Sequence, residues 1–217
     1  MKIEIYSDVI CPWCFIGKRR LEQALERVGS AQPAQVLWRP FELNPTMPKE
    51  GLDRRTYLEA KFGGAEALQA MEDRVAQAGD AEGIEFAFDR IARTPNTFDA
   101  HRLIWFAGQQ GCQDEVVEAL FYSYFTLGRD IGNLDSLTEV AADSGLNRKE
   151  VRVFLANDRA VQEVRAEEAA GHRLGIHGVP YFLLNGSLSI SGAQPPDIFV
   201  SALQQARGAV MERKEGA

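Results

Sequence analysis

Four residues near the start of the chain, Cys11-Pro12-Trp13-Cys14, offer the plainest chemistry in the sequence. Two thiols three positions apart can stand open as a dithiol or close into a disulfide. An apolar run from Ile3 to Tyr6 precedes them with strand character, and Ser7-Asp8-Val9-Ile10 leads out of it. A helical run from Phe15 to Val28 follows. Cys11 thus falls at a helix N-cap, where unpaired backbone N–H groups and the positive end of the helix dipole favour a thiolate. Pro12 suits the first helical position, where a missing N–H costs nothing. Cys14 lies one turn in, on the stripe Cys14, Gly17, Leu21, Ala24, Leu25 and Val28, which has the spacing of a buried face. Cys11 is expected to be the exposed nucleophile and Cys14 the covered, resolving thiol. Such a pair inside a βαβ pattern, with no secretory signal ahead of it, reads as a redox motif.

Two other uses of paired cysteines are weaker. Half of a zinc site would need more ligands. Only Cys112, His101, His172 and His177 remain, with no second C-x-x-C and no H-x-x-x-H, so no metal is expected. A structural disulfide is disfavoured in a reducing compartment. Glu4 and Asp8 interrupt any signal-peptide core, so a cytoplasmic location is expected. No apolar run is long enough to span a bilayer, so no membrane partner is expected. The net charge of -7 and the lack of a basic run argue against nucleic acid. Cys112, in Gly111-Cys112-Gln113-Asp114, reads as a small residue in a turn between helices.

The elements that position the dithiol follow from periodicity. A polar turn over Gly29–Gln32, closed by Pro33, leads to a second strand from Gln35 to Phe41. Strand, helix and strand with a short return make a parallel βαβ unit. Glu42 to Asp53, rich in turn residues, is an excursion. Helical periodicity then dominates: Arg54–Phe62, Glu66–Ala78, Asn96–Gln110, Glu115–Thr126, a helix from Asp135 to Gly145, Asn147–Ala156, and a last helix from Asp158 to Gly171 or Gly175. Asn96 and Asn147 are candidate caps, and Gly83–Phe88 is a short extended passage. A hairpin follows, Gly178–Leu184 and Leu188–Ser191 joined by the type I′ signal Asn185-Gly186. The final helix opens at Pro195-Pro196-Asp197 and runs to about Val210, ahead of a polar tail over Glu212–Ala217.

The fold class is therefore α/β, a thioredoxin fold with an all-helical insertion between its βαβ and ββα halves. The expected domains are a discontinuous one, 1–53 with 172–217, and an inserted helical one, 54–171.

The chain resembles the DsbA-like thioredoxin superfamily, in particular its FrnE-type branch. The blocks that carry the resemblance are Tyr6 to Cys14, Asn96-Thr97-Phe98-Asp99-Ala100-His101-Arg102-Leu103, Gly178-Val179-Pro180-Tyr181-Phe182 and Ser191-Gly192-Ala193-Gln194. The resemblance implies that Pro180 is cis and that its loop faces the cysteines. Pro12 and Trp13 then belong to the active-site loop, with Trp13 a flat surface for substrate or for packing. Val179 could pair its backbone with an extended substrate. Asn44 and the turn Gly192-Ala193-Gln194 resemble places where kappa-type glutathione enzymes hold glutathione. His101 is either a contact in the cleft between lobes or a packing residue, and His177 reads as a solvated loop residue.

The activity implied is thiol–disulfide exchange on protein or small-molecule thiols and disulfides. No tightly bound cofactor is expected beyond the Cys11–Cys14 pair, with glutathione as a potential co-substrate. Pro-Trp between the cysteines carries no charge and lacks the histidine of strongly oxidising relatives, which favours reductase or isomerase work. Two alternatives stay open. One is a glutathione-dependent isomerase or transferase resembling 2-hydroxychromene-2-carboxylate isomerase, whose relatives carry serine at the place of Cys11. The other is a binding module with a vestigial pair. The oligomeric state is not legible.

Overall fold

The computed structural model describes residues 1–29 and 34–215, with side chains through Gly208. Most of the turn expected over Gly29–Pro33 lies outside that range, as do the side chains of the tail and residues 216–217.

The first unit is β1 (Lys2–Ser7), α1 (Pro12–Val28) and β2 (Gln35–Pro40). β1 and β2 pair in parallel, with Ile3 beside Val36 and Ile5 beside Trp38. After β2 come a two-residue strand β3 (Leu52–Asp53), α2 (Arg54–Phe62) and α3 (Ala65–Asp80). Over Gly83–Phe88 no strand forms: a turn ends at Gly83, residues 84–87 have no regular structure, and a 3-10 turn follows at Phe88–Arg90. The strand is instead β4 (Arg93–Thr94), antiparallel to β3. Two residues are too few to show an alternating pattern, which is why neither strand is legible in the sequence.

The helical block continues with α4 (Phe98–Gln110), α5 (Gln113–Phe125), α6 (Leu134–Asp143), α7 (Arg148–Leu155) and α8 (Val161–Arg173). Asn147 caps α7 through the N–H groups of Lys149 and Glu150. Asn133 caps α6, which therefore starts one residue earlier than expected. At α4 the cap position is Thr97, not Asn96, yet the Asn96 side chain still accepts the Phe98 N–H at 3.0 Å. α8 begins at Val161 rather than Asp158 because the buried Arg102 guanidinium draws the carbonyls of Asn157 and Arg159 into a turn ahead of it. Gly171 does not stop this helix. A Cβ there would come within 2.6 Å of the Tyr6 ring, so the glycine is the seat for that ring.

The chain ends with the hairpin β5 (Tyr181–Leu184) and β6 (Leu188–Ser191), then α9 (Pro196–Glu215). Asn185 and Gly186 both have positive φ, 51° and 70°, as a type I′ turn requires. The sheet order is β2-β1-β5-β6, with β5 antiparallel to β1.

One face of the sheet presents Ile3, Ile5, Trp38, Phe182 and Leu184, all buried. α1 and α9 cover it, with Phe199 of α9 edge-on to Phe182 at 4.8 Å. Tyr6, on the opposite face, meets α8 at Gly171. The helical block is joined to the sheet by the same core. Phe15 of α1 stacks on Phe121 of α5 at 5.0 Å, and the Trp38 indole N–H donates to Asp114 at 2.8 Å. Each fully buried Phe or Ile in this core contributes about 1.5–3 kcal/mol.

Candidate active site

The dithiol sits at the exit of β1. The Cys11 N–H donates to the Asp8 carbonyl at 3.0 Å, which turns the chain into α1. Cys11 is the N-cap, with extended φ −91° and ψ 110°, and Pro12 opens the helix. Cys14 follows one turn on, its N–H donating to the Cys11 carbonyl at 3.0 Å. Both cysteines are free thiols.

The expected contrast between an exposed Cys11 and a covered Cys14 needs correction. Cys11 is 4% exposed and Cys14 1%. What separates them is the cavity: Cys11 lines a pocket of about 350 Å³, and Cys14 does not. Cys11 is covered because α2 and the loop before β5 roof that pocket, an arrangement no local pattern reveals. The Cys11 S–H donates to the Val179 carbonyl at 3.7 Å. The Cys14 thiol lies against Cys11, the Ser7 side chain and the Asp8 backbone, and burial pushes its pKa well up, with Cys11 adding to the rise.

Trp13 and Val179 form the walls nearest the sulfur. The opposite wall comes from α2, with Leu58, Lys61 and Phe62. Asn44 stands between: its Oδ1 accepts from the Tyr57 hydroxyl at 2.5 Å and from Lys61 Nζ at 3.0 Å. Arg54 and Tyr124 close the inner end. Arg54 is neutralised by Glu72 at 2.6 Å. Lys61 faces no carboxylate among the described residues, so it is the available cation of the pocket. Burial raises the Tyr124 phenol, which stays a neutral donor, 3.3 Å from the Arg93 carbonyl. A larger cleft of about 770 Å³ adjoins at Arg54 and Phe88 but holds no cysteine.

The structure thus brings together Cys11, Pro12, Trp13, Asn44 and Val179. The Val179–Pro180 peptide bond is cis. Pro180 is buried beneath the pocket against Gly17, where a Cβ would lie 3.1 Å from its ring. Gly192 and Ala193 do not line the pocket. The Gly192 N–H donates to the Pro180 carbonyl at 2.8 Å, and the Ala193 carbonyl accepts from Arg20 at 2.6 Å, so this turn braces the loop from behind. Gln194 folds back on the Ser191 carbonyl at 2.9 Å. His101 is not in the pocket either. It is 4% exposed and points at Asp8, because α4 packs its motif face inward. His177 is exposed.

Sequence reasoning missed the α2 wall. Arg54, Leu58 and Lys61 stand at intervals of four and three, one helical face, so that face was readable. What it covers was not, because α2 is more than forty residues from Cys11 in the chain.

Solved structures share the fold. The probable DsbA oxidoreductase SCO1869 from Streptomyces coelicolor is 38% identical with a TM-score of 0.89, over 96% of this chain and 90% of that one. At the level of fold alone, 2-hydroxychromene-2-carboxylate isomerase superposes with a TM-score of 0.70 and 16% identity, over 100% and 98% of the two chains. The cytosolic disulfide reductase DsbM from Pseudomonas aeruginosa gives 0.68 and 19%, over 94% and 98%, and is also known with GSH. The pattern of the DSBA-like thioredoxin domain matches residues 2–204, and the chain belongs to that family.

Proposed function

We propose that this protein is a thiol–disulfide oxidoreductase that turns over through Cys11 and Cys14. One observation carries the reading: the two thiols share the first turn of α1, and only the N-cap thiol opens into a pocket. Cys11 attacks a partner disulfide as thiolate, displaces one partner sulfur and holds the other as a mixed disulfide. Cys14 then attacks Cys11, which closes the internal disulfide and releases the second partner thiol. The reverse sequence oxidises a dithiol.

The cis Val179–Pro180 loop serves in this reading as the rail for substrate, with Val179 offering its carbonyl beside the sulfur. The uncharged Pro12-Trp13 pair and a reducing, cytoplasmic setting favour reduction or isomerisation. Glutathione is the electron source that fits the pocket chemistry: it is a small thiol with carboxylates, and Lys61 and Asn44 stand at hand. The isomerase alternative draws only on a shared fold, and a thiol at position 11 favours exchange chemistry.

The test is reduction of insulin disulfides coupled to glutathione or dithiothreitol. Cys11→Ser is expected to abolish it. Cys14→Ser is expected to hold mixed disulfides that can be isolated and identified. Full turnover by Cys11→Ser would overturn the reading.

A further inference from the structure

α1 meets the Val179–Pro180 loop along its length, and only the first meeting involves a thiol. The Cys11 S–H donates to the Val179 carbonyl. Gly17 seats Pro180, whose ring a Cβ there would meet at 3.1 Å. Arg20, one turn further along the same helix, donates from Nη1 to the Ala193 carbonyl at 2.6 Å. The residue before Ala193 carries the connection on, because the Gly192 N–H donates to the Pro180 carbonyl at 2.8 Å. One guanidinium therefore holds the turn that holds the loop beside Cys11.

The same guanidinium also faces the helical block. Arg20 Nε donates to Glu82 Oε1 at 2.6 Å, and Gln23 Nε2 donates to Glu82 Oε2 at 2.6 Å. Glu82 sits in the turn that ends α3, where its own N–H and that of Ile84 donate to the Gly79 carbonyl at 2.8 and 2.9 Å. α3 also supplies Met71 to the wall of the catalytic pocket. Arg20 thus ties the α2–α3 wall of that pocket to the Val179 wall. Its side chain is 17% exposed and that of Glu82 8%, so solvent screens the pair little. A guanidinium presents its donors in a fixed planar fork, so the carboxylate that holds Nε also sets the direction of Nη1.

We propose that Arg20, aimed by Glu82, is a positioning residue that keeps the Val179–Pro180 loop in register with Cys11 for disulfides carried on a polypeptide. This inference rests on the exchange reading above, in which that loop is the rail for substrate. A polypeptide partner lies along Val179 and gains from a rail already in place, whereas a loose rail must be ordered when the partner binds. A small disulfide without a backbone makes no use of the rail. Arg20 does not line the pocket, so its loss acts on how a polypeptide is held and leaves the sulfur chemistry as it was.

The test separates the two kinds of substrate. The reduced protein, freed of reductant, is mixed with increasing excess of insulin or of bis(2-hydroxyethyl) disulfide. The reaction is quenched in acid, and the thiols left on the protein are counted by alkylation. This gives a half-saturating concentration and a limiting rate for insulin, and a second-order rate constant for the small disulfide. Arg20→Met keeps the length of the side chain and removes its donors. Glu82→Gln leaves α1 intact and removes the charge that aims Arg20. The half-saturating concentration for insulin is expected to rise by about fivefold in Arg20→Met and about threefold in Glu82→Gln. The limiting rate and the rate with the small disulfide should stay within about twofold of the wild type. Equal losses on the two disulfides, an unchanged insulin value, or a change confined to the limiting rate would overturn the proposal in either variant. Glu82→Gln therefore decides alone if Arg20→Met does not fold. Reaction of neither disulfide with the wild type would overturn the dithiol reading itself, and the positioning role with it.

Discussion

At the scale of single residues, the division of labour between Cys11 and Cys14 comes from burial on one side and an opening on the other. Cys112 has neither. It caps α5 in a turn, its thiol lies 3.8 Å from the Ala107 carbonyl, and burial together with Glu115 raises its pKa. Cys112→Ser should leave insulin reduction unchanged, and a loss of turnover with the fold intact would mean that the two-cysteine mechanism is wrong. Lys61 offers a second residue-scale prediction. It is an exposed cation at the pocket mouth, so its attraction for a carboxylate is screened and modest. Lys61→Ala should lower kcat/KM for glutathione disulfide by about two- to fivefold while leaving the neutral bis(2-hydroxyethyl) disulfide untouched. Equal losses for both would remove charge from the explanation. The Cys11–Cys14 pair was legible from the sequence because its spacing is local, whereas the place of Pro180 came from the family resemblance and not from spacing. The meeting of Asp8 with His101 was not legible, since ninety-three residues separate a loop aspartate from the helix that supplies its neighbour.

At the scale of elements, the block from Asn96 to Leu103 shows how one helix start serves several neighbours. Asn96 donates to the Met47 carbonyl at 2.7 Å and accepts the Phe98 N–H. His101 reaches the seam behind the dithiol, and Arg102 reaches the other way. The buried Arg102 guanidinium collects the carbonyls of Phe154, Leu155, Asn157 and Arg159, and pairs with Asp99 at 2.7 Å. These are the orphan acceptors at the end of α7 and the turn into α8. Arg102→Met keeps most of the volume and leaves them unpaired, so it should destabilise the protein by about 3–5 kcal/mol. Chemical denaturation of both proteins measures it, and a loss below about 1 kcal/mol would mean that water replaces the guanidinium fully. The helix boundaries were mostly legible, because Asn147 and the left-handed Gly111 are strong end signals. The start of α8 was not, because Ala160 takes φ 60°, a conformation imposed from outside by Arg102 and invisible in local propensity.

At the scale of the whole molecule, the order of the halves around the helical block was readable from periodicity, whereas the way they lock together was not. The lock includes a lysine that the helical stripe of α1 places in the interior. Lys18 is 3% exposed, and its ammonium meets Asp114 at 3.1 Å and Glu118 at 3.0 Å on α5, together with Glu22 on its own helix. Arg19 adds a two-pronged contact to Glu118. Burial works to raise the Glu118 carboxyl, but Arg19 and Lys18 outweigh it and hold the group below the ordinary carboxylate range. A depressed folded value stabilises the protein above the unfolded value, near pH 4, and that stability is lost as pH falls through the folded one. Lys18 and Arg19, whose values are raised, lose their contribution only in strong alkali, so acid is the accessible direction. Glu118→Gln keeps the shape and cannot ionise. Its Tm should lie below that of the wild type at pH 7, and the gap should close steadily between about pH 5 and pH 3. A gap that stayed constant down to pH 3 would show that the carboxylate charge does not join α5 to α1, and that packing around Phe15 and Phe121 holds the helical block to the sheet instead.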